Sequence, residues 1–336
     1  MSANTPAEAA PGPSSNEPDP RGSGSRTSTS AVDGAKLVRE RRLNNAKKNW
    51  ALFRSDVPAL IGAVVLLFFV IIAIAAPLIA PASMLDVTKQ LDVDRYAPPS
   101  LDHPLGTDDF GREMWVRILW GARVSILVGV AATVMSMVIG TIMGLAAGHF
   151  TGLFGGIIMR IVDFFIVLPS LLLAIVLSSV LERGVFTIVV AIGLTSWAST
   201  ARIVRSQTLS VESRLYIERA RILGAGHSHI LFRHLLPAVM PLVLANTTLT
   251  VGSAIIAEST LSFLGLGDTS KESWGTILKN SMDVSAATSG YWWYVLTPGI
   301  AILLVVLAFT MVWRAFEAII NPALRKIGRA SCRERV

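Results

Sequence analysis

Long runs without a charged side chain constrain this chain more than any other feature. Val57 to Leu85 contains no Asp, Glu, Lys or Arg, and neither does Val124 to Met159. A hydrocarbon layer of about 30 Å asks for about 20 apolar residues per crossing helix. The segment LIGAVVLLFFVIIAIAAPLIA inside the first run gives one span, too long and too far from the N-terminus to be a signal peptide. The second run holds a span at about 124–147. After the turn-like GHFTGLFGG it begins a third, expected to continue to about Leu181 through Arg160, Asp163 and Pro169. A fourth covers about 185–204. His234 and Glu258 bracket 23 uncharged residues, and Tyr291 to Trp313 is another 23, giving the fifth and sixth. The expected fold is all-α, a polytopic membrane protein with six transmembrane helices.

Composition agrees. Charged residues make up 16%, against about 25% in soluble domains, and mean hydropathy is +0.57. A single cysteine, Cys332, excludes a disulfide scaffold. The net charge of +7 would suggest a nucleic-acid partner in a soluble protein. Across a membrane, the placement of Lys and Arg matters more than their total. Six spans leave both termini on one side. With the N-terminus inside, 22 Lys and Arg fall on inner segments and 8 on outer ones. Both termini are therefore expected in the cytoplasm of a multi-pass cell-membrane protein, with lipid as a partner and nucleic acid not.

The chain divides accordingly. Residues 1–35, rich in Pro, Ser, Gly and Ala, read as a disordered tail. Residues 36–56 mix seven basic residues with Trp50, Leu52 and Phe53 and suit an interfacial segment at the inner leaflet. Residues 57–120 hold the first helix and an outer loop whose acidic residues are expected to be exposed. Residues 121–320 hold the other five helices, and 321–336 form a tail whose last residues resemble a cloning scar.

A hydrophilic stretch of about 206–237 separates spans four and five. VESRLYIERARILGA reads as an amphipathic helix with Leu215, Ala220 and Leu223 on one side. Gly224 and Gly226 break it, and SHILFRHLLP starts again toward span five. Such a loop is either a docking knob or a solvated linker.

Here the sequence resembles a known family. Glu218-Arg219-Ala220, three residues, Gly224, nine residues, His234, one residue and Leu236-Pro237 follow the EAA signature of ABC-importer permeases. Arg219 replaces its middle alanine and His234 its isoleucine. HPLGTDDFGREMWVRILWGARVSILVG (103–129), MRIVDFFIVLPSLLLAIVL (159–177) and ESTLSFLGLG with SWG (258–275) resemble segments of one branch. That branch is the C-type permease subunit of dipeptide, oligopeptide and nickel importers. The resemblance spans about 37–324. It implies a MetI-like fold, a homologous second permease subunit forming a heterodimer, two cytoplasmic ATPases and an external substrate-binding protein. It makes the EAA loop an ATPase-coupling element and leaves ATP to those partners, with no cofactor on this chain.

Other polar features have local readings. Arg160 and Asp163, three apart on one helix face, are expected to pair with each other, since a lone charge in the membrane is costly. Thr195 and Ser199 of span four, with Asn246, Thr250 and Ser253 of span five, are candidates for a translocation path or for interhelical hydrogen bonds. Gly140, Gly144 and Gly148 form a GxxxGxxxG packing face, inside the subunit or against a partner. His227 and His229 are expected to be solvated. The five histidines show no metal-ligand spacing, and neither a Walker A pattern nor a GxSxG elbow occurs. No catalytic set is expected. A nickel or other small-solute importer of the same family remains as an alternative. So does a proton-coupled transporter using Arg160, Asp163 and Glu258, which would predict internal repeats and broken helices.

Overall fold

The computed structural model describes residues 50–51, 53–89 and 94–320. The 1–35 tail, most of the basic 36–56 segment and the 321–336 tail lie outside these residues. The longer described elements are all helices: α1 Val57–Ile79, α2 Met114–His149, α3 Leu153–Val167, α4 Ser170–Val180, α5 Val185–Glu212, α6 Leu215–Ile222, α7 His227–Phe263, α8 Trp274–Asp283 and α9 Trp292–Ile320. Among the described residues the only extended pairing is an isolated bridge between Thr107 and Glu113.

Five helices are long and apolar enough to cross a membrane, and a sixth crossing exists if α3 and α4 count as one. Those two meet at 88°, which corrects the expectation of a single straight third span. The cause is Pro169. Its ring disfavours helical backbone at the residue before it, and Leu168 is extended at φ −75°, ψ 130°. Pro169 then stands at the N-terminus of α4, where its missing N–H is harmless.

Spans two and four are longer than their apolar cores, because helical backbone continues through the flanking polar residues. α2 begins ten residues before Val124 and α5 runs to Glu212. One helix escaped the sequence reading altogether. α8 is only ten residues, capped where Ser273 Oγ accepts from the Thr276 N–H at 3.2 Å. It buries Trp274, Gly275, Ile277 and Ser281 against the bundle.

The tightest seam joins α2 to α5. A Cβ on Gly140 would sit 2.7 Å from Thr200 Cβ, one on Gly144 2.6 Å from the Ala201 carbonyl oxygen, and one on Gly148 2.6 Å from Thr208 Cβ. The glycine face therefore packs within this chain. Side chains such as Leu67, Ile74 and Leu78 of α1 are exposed, as expected for a surface that faces lipid.

Candidate functional site

The two ends of the bundle carry the polar chemistry. At one end lies the connection between α5 and α7. α6 spans eight residues and is closed by Gly224, in a left-handed conformation at φ +84°. The Ala225 N–H donates to the Ala220 carbonyl at 3.0 Å and the Gly224 N–H to the Arg221 carbonyl at 2.9 Å. That pair of bonds is a Schellman closure, which favours glycine at this position. The next stretch turns back toward the membrane through a wide π-helical turn, Leu231–Leu235. It ends two residues before Pro237, whose ring would otherwise press on the carbonyl four residues earlier.

α6 does not bury the face that its apolar spacing suggests. Ile217 is the fully buried residue, packed with Val211, Ile230 and Leu235. Leu215, Ile222 and Leu223 are 70%, 80% and 87% exposed, and Phe232 is exposed beside them. An eight-residue helix has room for one anchor, not for an apolar stripe. Glu218 and Arg219 are exposed and their side chains have no partner among the described residues, while Ala220 is half-buried. Arg214, Arg219, Arg221 and Arg233 surround the exposed apolar residues in sequence. The His234 ring meets His229 edge-on at 5.5 Å and Tyr216 at a tilt at 6.0 Å.

A polar chain beneath this knob is absent from the sequence reading. Glu212, the last residue of α5, accepts from Arg221 Nη2 and bonds His149 Nδ1 at 3.1 Å. His149 Nε2 meets His227 Nδ1 at 2.8 Å. His227 is therefore bonded rather than merely solvated. No sequence spacing could show this, since the four residues come from four helices.

At the opposite end, the loop before α2 and the loop before α8 share a buried charge network. Asp108 is fully buried, contrary to the expected exposure of this loop. It accepts from Arg112 Nε at 2.7 Å and Arg117 Nη1 at 2.9 Å. Glu272 accepts from Arg112 Nη1 at 3.1 Å and Arg117 Nη2 at 2.9 Å. Arg117 also donates to the Tyr294 hydroxyl at 2.9 Å, which donates to Asp109 at the same distance. Two arginines divided between two carboxylates satisfy charges that would be expensive to bury alone. A groove of about 1030 Å³ opens beside them, lined by Arg112, Arg123, Arg183, Lys271 and Glu272 among others. On its rim, burial opposes the Asp268 charge, but hydrogen bonds from the Ser270 hydroxyl and N–H hold its carboxyl below the usual range.

The remaining expected sites are dispersed. Asp163 does not pair with Arg160. Its Oδ1 lies 2.6 Å from Arg202 Nη2 on α5, and both side chains are about half exposed. A partner on a packed neighbouring helix reaches the carboxylate, whereas Arg160 points away, exposed. Glu258 is fully buried and accepts from Ser262 at 2.8 Å and Ser259 at 3.3 Å. Among the described residues nothing connects it to Asp163.

Among the candidate path residues, Thr195 is buried and bonds the Ala191 and Ile192 carbonyls, so it lines no surface of this chain. Ser199, Thr250 and Ser253 bond carbonyls of their own helices. Asn246 alone reaches across, donating to Thr200 at 3.4 Å.

Comparison with known proteins matches these parts to one family. Residues 136–326 match the family described as binding-protein-dependent transport system inner membrane component. Residues 46–99 match the N-terminal transmembrane domain of oligopeptide transport permease C. The chain is 37% identical to the oligopeptide transport system permease protein OppC of Bacillus subtilis, over 87% of this chain and 94% of that one. It is 36% identical to the dipeptide permease DppC of the same organism, covering 87% and 90%. A glutathione transport system permease protein, GsiD of Shigella flexneri, is 36% identical over 82% and 90%.

Proposed function

This chain belongs to the binding-protein-dependent transport permeases, the membrane subunits of ABC importers, and on that premise we propose that it forms half of the translocation path for short peptides. Relatives named for oligopeptides, dipeptides and glutathione share the peptide bond, which supports a peptide over a metal ion as cargo. The loop end with α6 and Gly224 faces the cytoplasm together with both termini, in keeping with the 22-to-8 division of basic residues. The Asp108–Arg117 end faces outward, where a substrate-binding protein delivers cargo.

One observation carries the coupling role. α6 holds Leu215, Ile222 and Leu223 bare to solvent and leaves Glu218 unpaired, on a helix fixed from below by Ile217. Exposed apolar side chains among charges on a rigid knob suit a protein groove better than water. In this reading Glu218, Arg219, Ala220 and Gly224 seat in one cytoplasmic ATPase. His234, Leu236 and Pro237 then return the chain to the membrane. A homologous second permease supplies the other half of the path and the contact to the second ATPase. Ser199, Asn246, Thr250 and Ser253 are the candidate lining residues on this side, and Thr195 is not.

The test is reconstitution with a partner permease, two ATPases and a binding protein. ATP-dependent peptide uptake is expected only when both permeases are present. Gly224→Asp and Glu218→Lys should leave the chain in the membrane but release or uncouple the ATPases. Normal ATPase content and uptake in both variants would refute the coupling role. Uptake driven by a proton gradient without ATP would refute the importer itself.

A further inference from the structure

Four helices at the loop end meet at one polar chain: Arg221 of α6, Glu212 at the end of α5, His149 at the end of α2, and His227 at the start of α7. Among the described residues, the Arg221–Glu212 and His149–His227 contacts are the only side-chain hydrogen bonds joining 214–235 to the rest of the bundle. Beyond these side-chain bonds and the backbone bonds where it leaves α5, the segment is held by the Phe150 ring against His227 and by apolar packing around Ile217, Ile230 and Leu235, which fixes position but allows sliding.

The chain has a direction. A carboxylate only accepts, so His149 Nδ1 carries the hydrogen that reaches Glu212 Oε1. In the tautomer this requires, with one ring hydrogen on Nδ1, Nε2 is bare and is assigned as the acceptor from His227 Nδ1–H. Both tautomers follow from the carboxylate at the far end. His149 is buried, so removing its donor leaves Nε2 without a partner, a costly state inside a protein. The His149 ring is also held edge-on by Phe150 at 4.8 Å and by His227 at 5.1 Å.

We propose that His149 and His227 are positioning residues forming the joint through which movement of the coupling loop reaches α2, an inference that rests on the importer function above. Neither residue touches a partner in this scheme. Glu218 and Gly224 receive the ATPase. The His149–His227 bond ties the first residue of α7 to the last residue of α2, so that the return of the chain into the membrane and the glycine-packed α2–α5 pair move together.

The experiment uses the reconstituted complex of this chain with its partner permease, ATPases and binding protein, and reads peptide transported per ATP hydrolysed. In His227→Ala and in His149→Ala, the ATPases should co-purify normally and basal hydrolysis should persist, while the ratio falls about tenfold. The double variant should be no worse than either single, because the two residues make one bond. His227→Asn retains an N–H that can reach His149 and should recover most of the ratio, whereas the apolar His227→Leu should not.

Hydrogen exchange on the purified chain gives a reading independent of transport. Amides of 215–230 should exchange faster in His149→Ala, with the segment around Trp274 unchanged. A wild-type ratio in the alanine variants, additive losses in the double variant, or Asn behaving like Leu would each overturn the joint. A wild-type complex that fails to transport with ATP would instead overturn the importer reading, leaving the exchange result to decide the joint.

Discussion

The two ends of this molecule are held by different kinds of force. At the Asp108 end, two arginines and two carboxylates interlock beneath Trp274 and Tyr294, both fully buried. At the α6 end, one isoleucine and one line of hydrogen bonds secure a helix whose other apolar side chains stand in solvent. The first arrangement pairs its charges within the chain, leaving only Arg117 Nε of the two guanidiniums buried without a partner among the described residues. The second is sufficient to orient the loop but leaves apolar area bare. The difference lies in how much of each end's surface the chain itself covers.

The sharpest way to break this contrast is to remove Arg117. Arg117→Ala strands Asp108 and Glu272 in a buried site, and losing one member of a buried ion network costs roughly 3–5 kcal/mol. Detergent-solubilised protein should aggregate or melt far below wild type. If it matched Arg221→Ala at the exposed end, the contrast would fail.

Ile217→Ala comes next. It deletes the anchor of α6, at a cost of about 2–5 kcal/mol confined to that end. Hydrogen exchange should rise across 213–235 and stay unchanged around Trp274. A uniform rise would mean the ends are not independent.

Gly144→Ala forces a methyl to within 2.6 Å of the Ala201 carbonyl. Overpacking of this kind costs about 1–3 kcal/mol, and the melting temperature should fall accordingly. An unchanged value would show that α2 and α5 can separate freely.

Leu223→Ser should change the stability of the isolated chain by no more than about 0.5 kcal/mol while weakening ATPase co-purification. Asp163→Asn breaks the single ion pair to Arg202, both of whose side chains are about half exposed, so expression should stay close to wild type. A large loss there would mean that Arg202 and Asp163 are shielded in the assembled complex.

Sequence made the spans legible because hydrocarbon imposes one requirement, and uncharged length reports it. The short helix between α5 and α7 and its closure were legible because Gly224 is a local signal. Glu212, His149 and His227 were not, since residues 63 and 78 apart meet only after four helices pack. Asp108 hid for a similar reason. An acidic loop reads as wet until Arg112 and Arg117, four and nine residues on, fold back over it. The Asp163 partner was sought on its own helix because the three-residue spacing offered Arg160, whereas Arg202 arrives from α5. α8 is too short and too polar to announce itself. The elbow at Pro169 was visible as a proline, but not as a right angle.

The glycine seam has a mechanical meaning. α2 is 36 residues and α5 is 28, so at about 1.5 Å per residue they extend roughly 54 and 42 Å. Three glycines spaced one turn apart seat α5 in a notch of α2, and neither helix can slip along the other without driving Thr200, Val204 or Thr208 over backbone. Two rods keyed in this way resist shear and flex as one beam. A push at the Glu212 tip is therefore not absorbed near its origin; it swings the far tip, where Met114 and Val185 begin their helices, by a comparable arc.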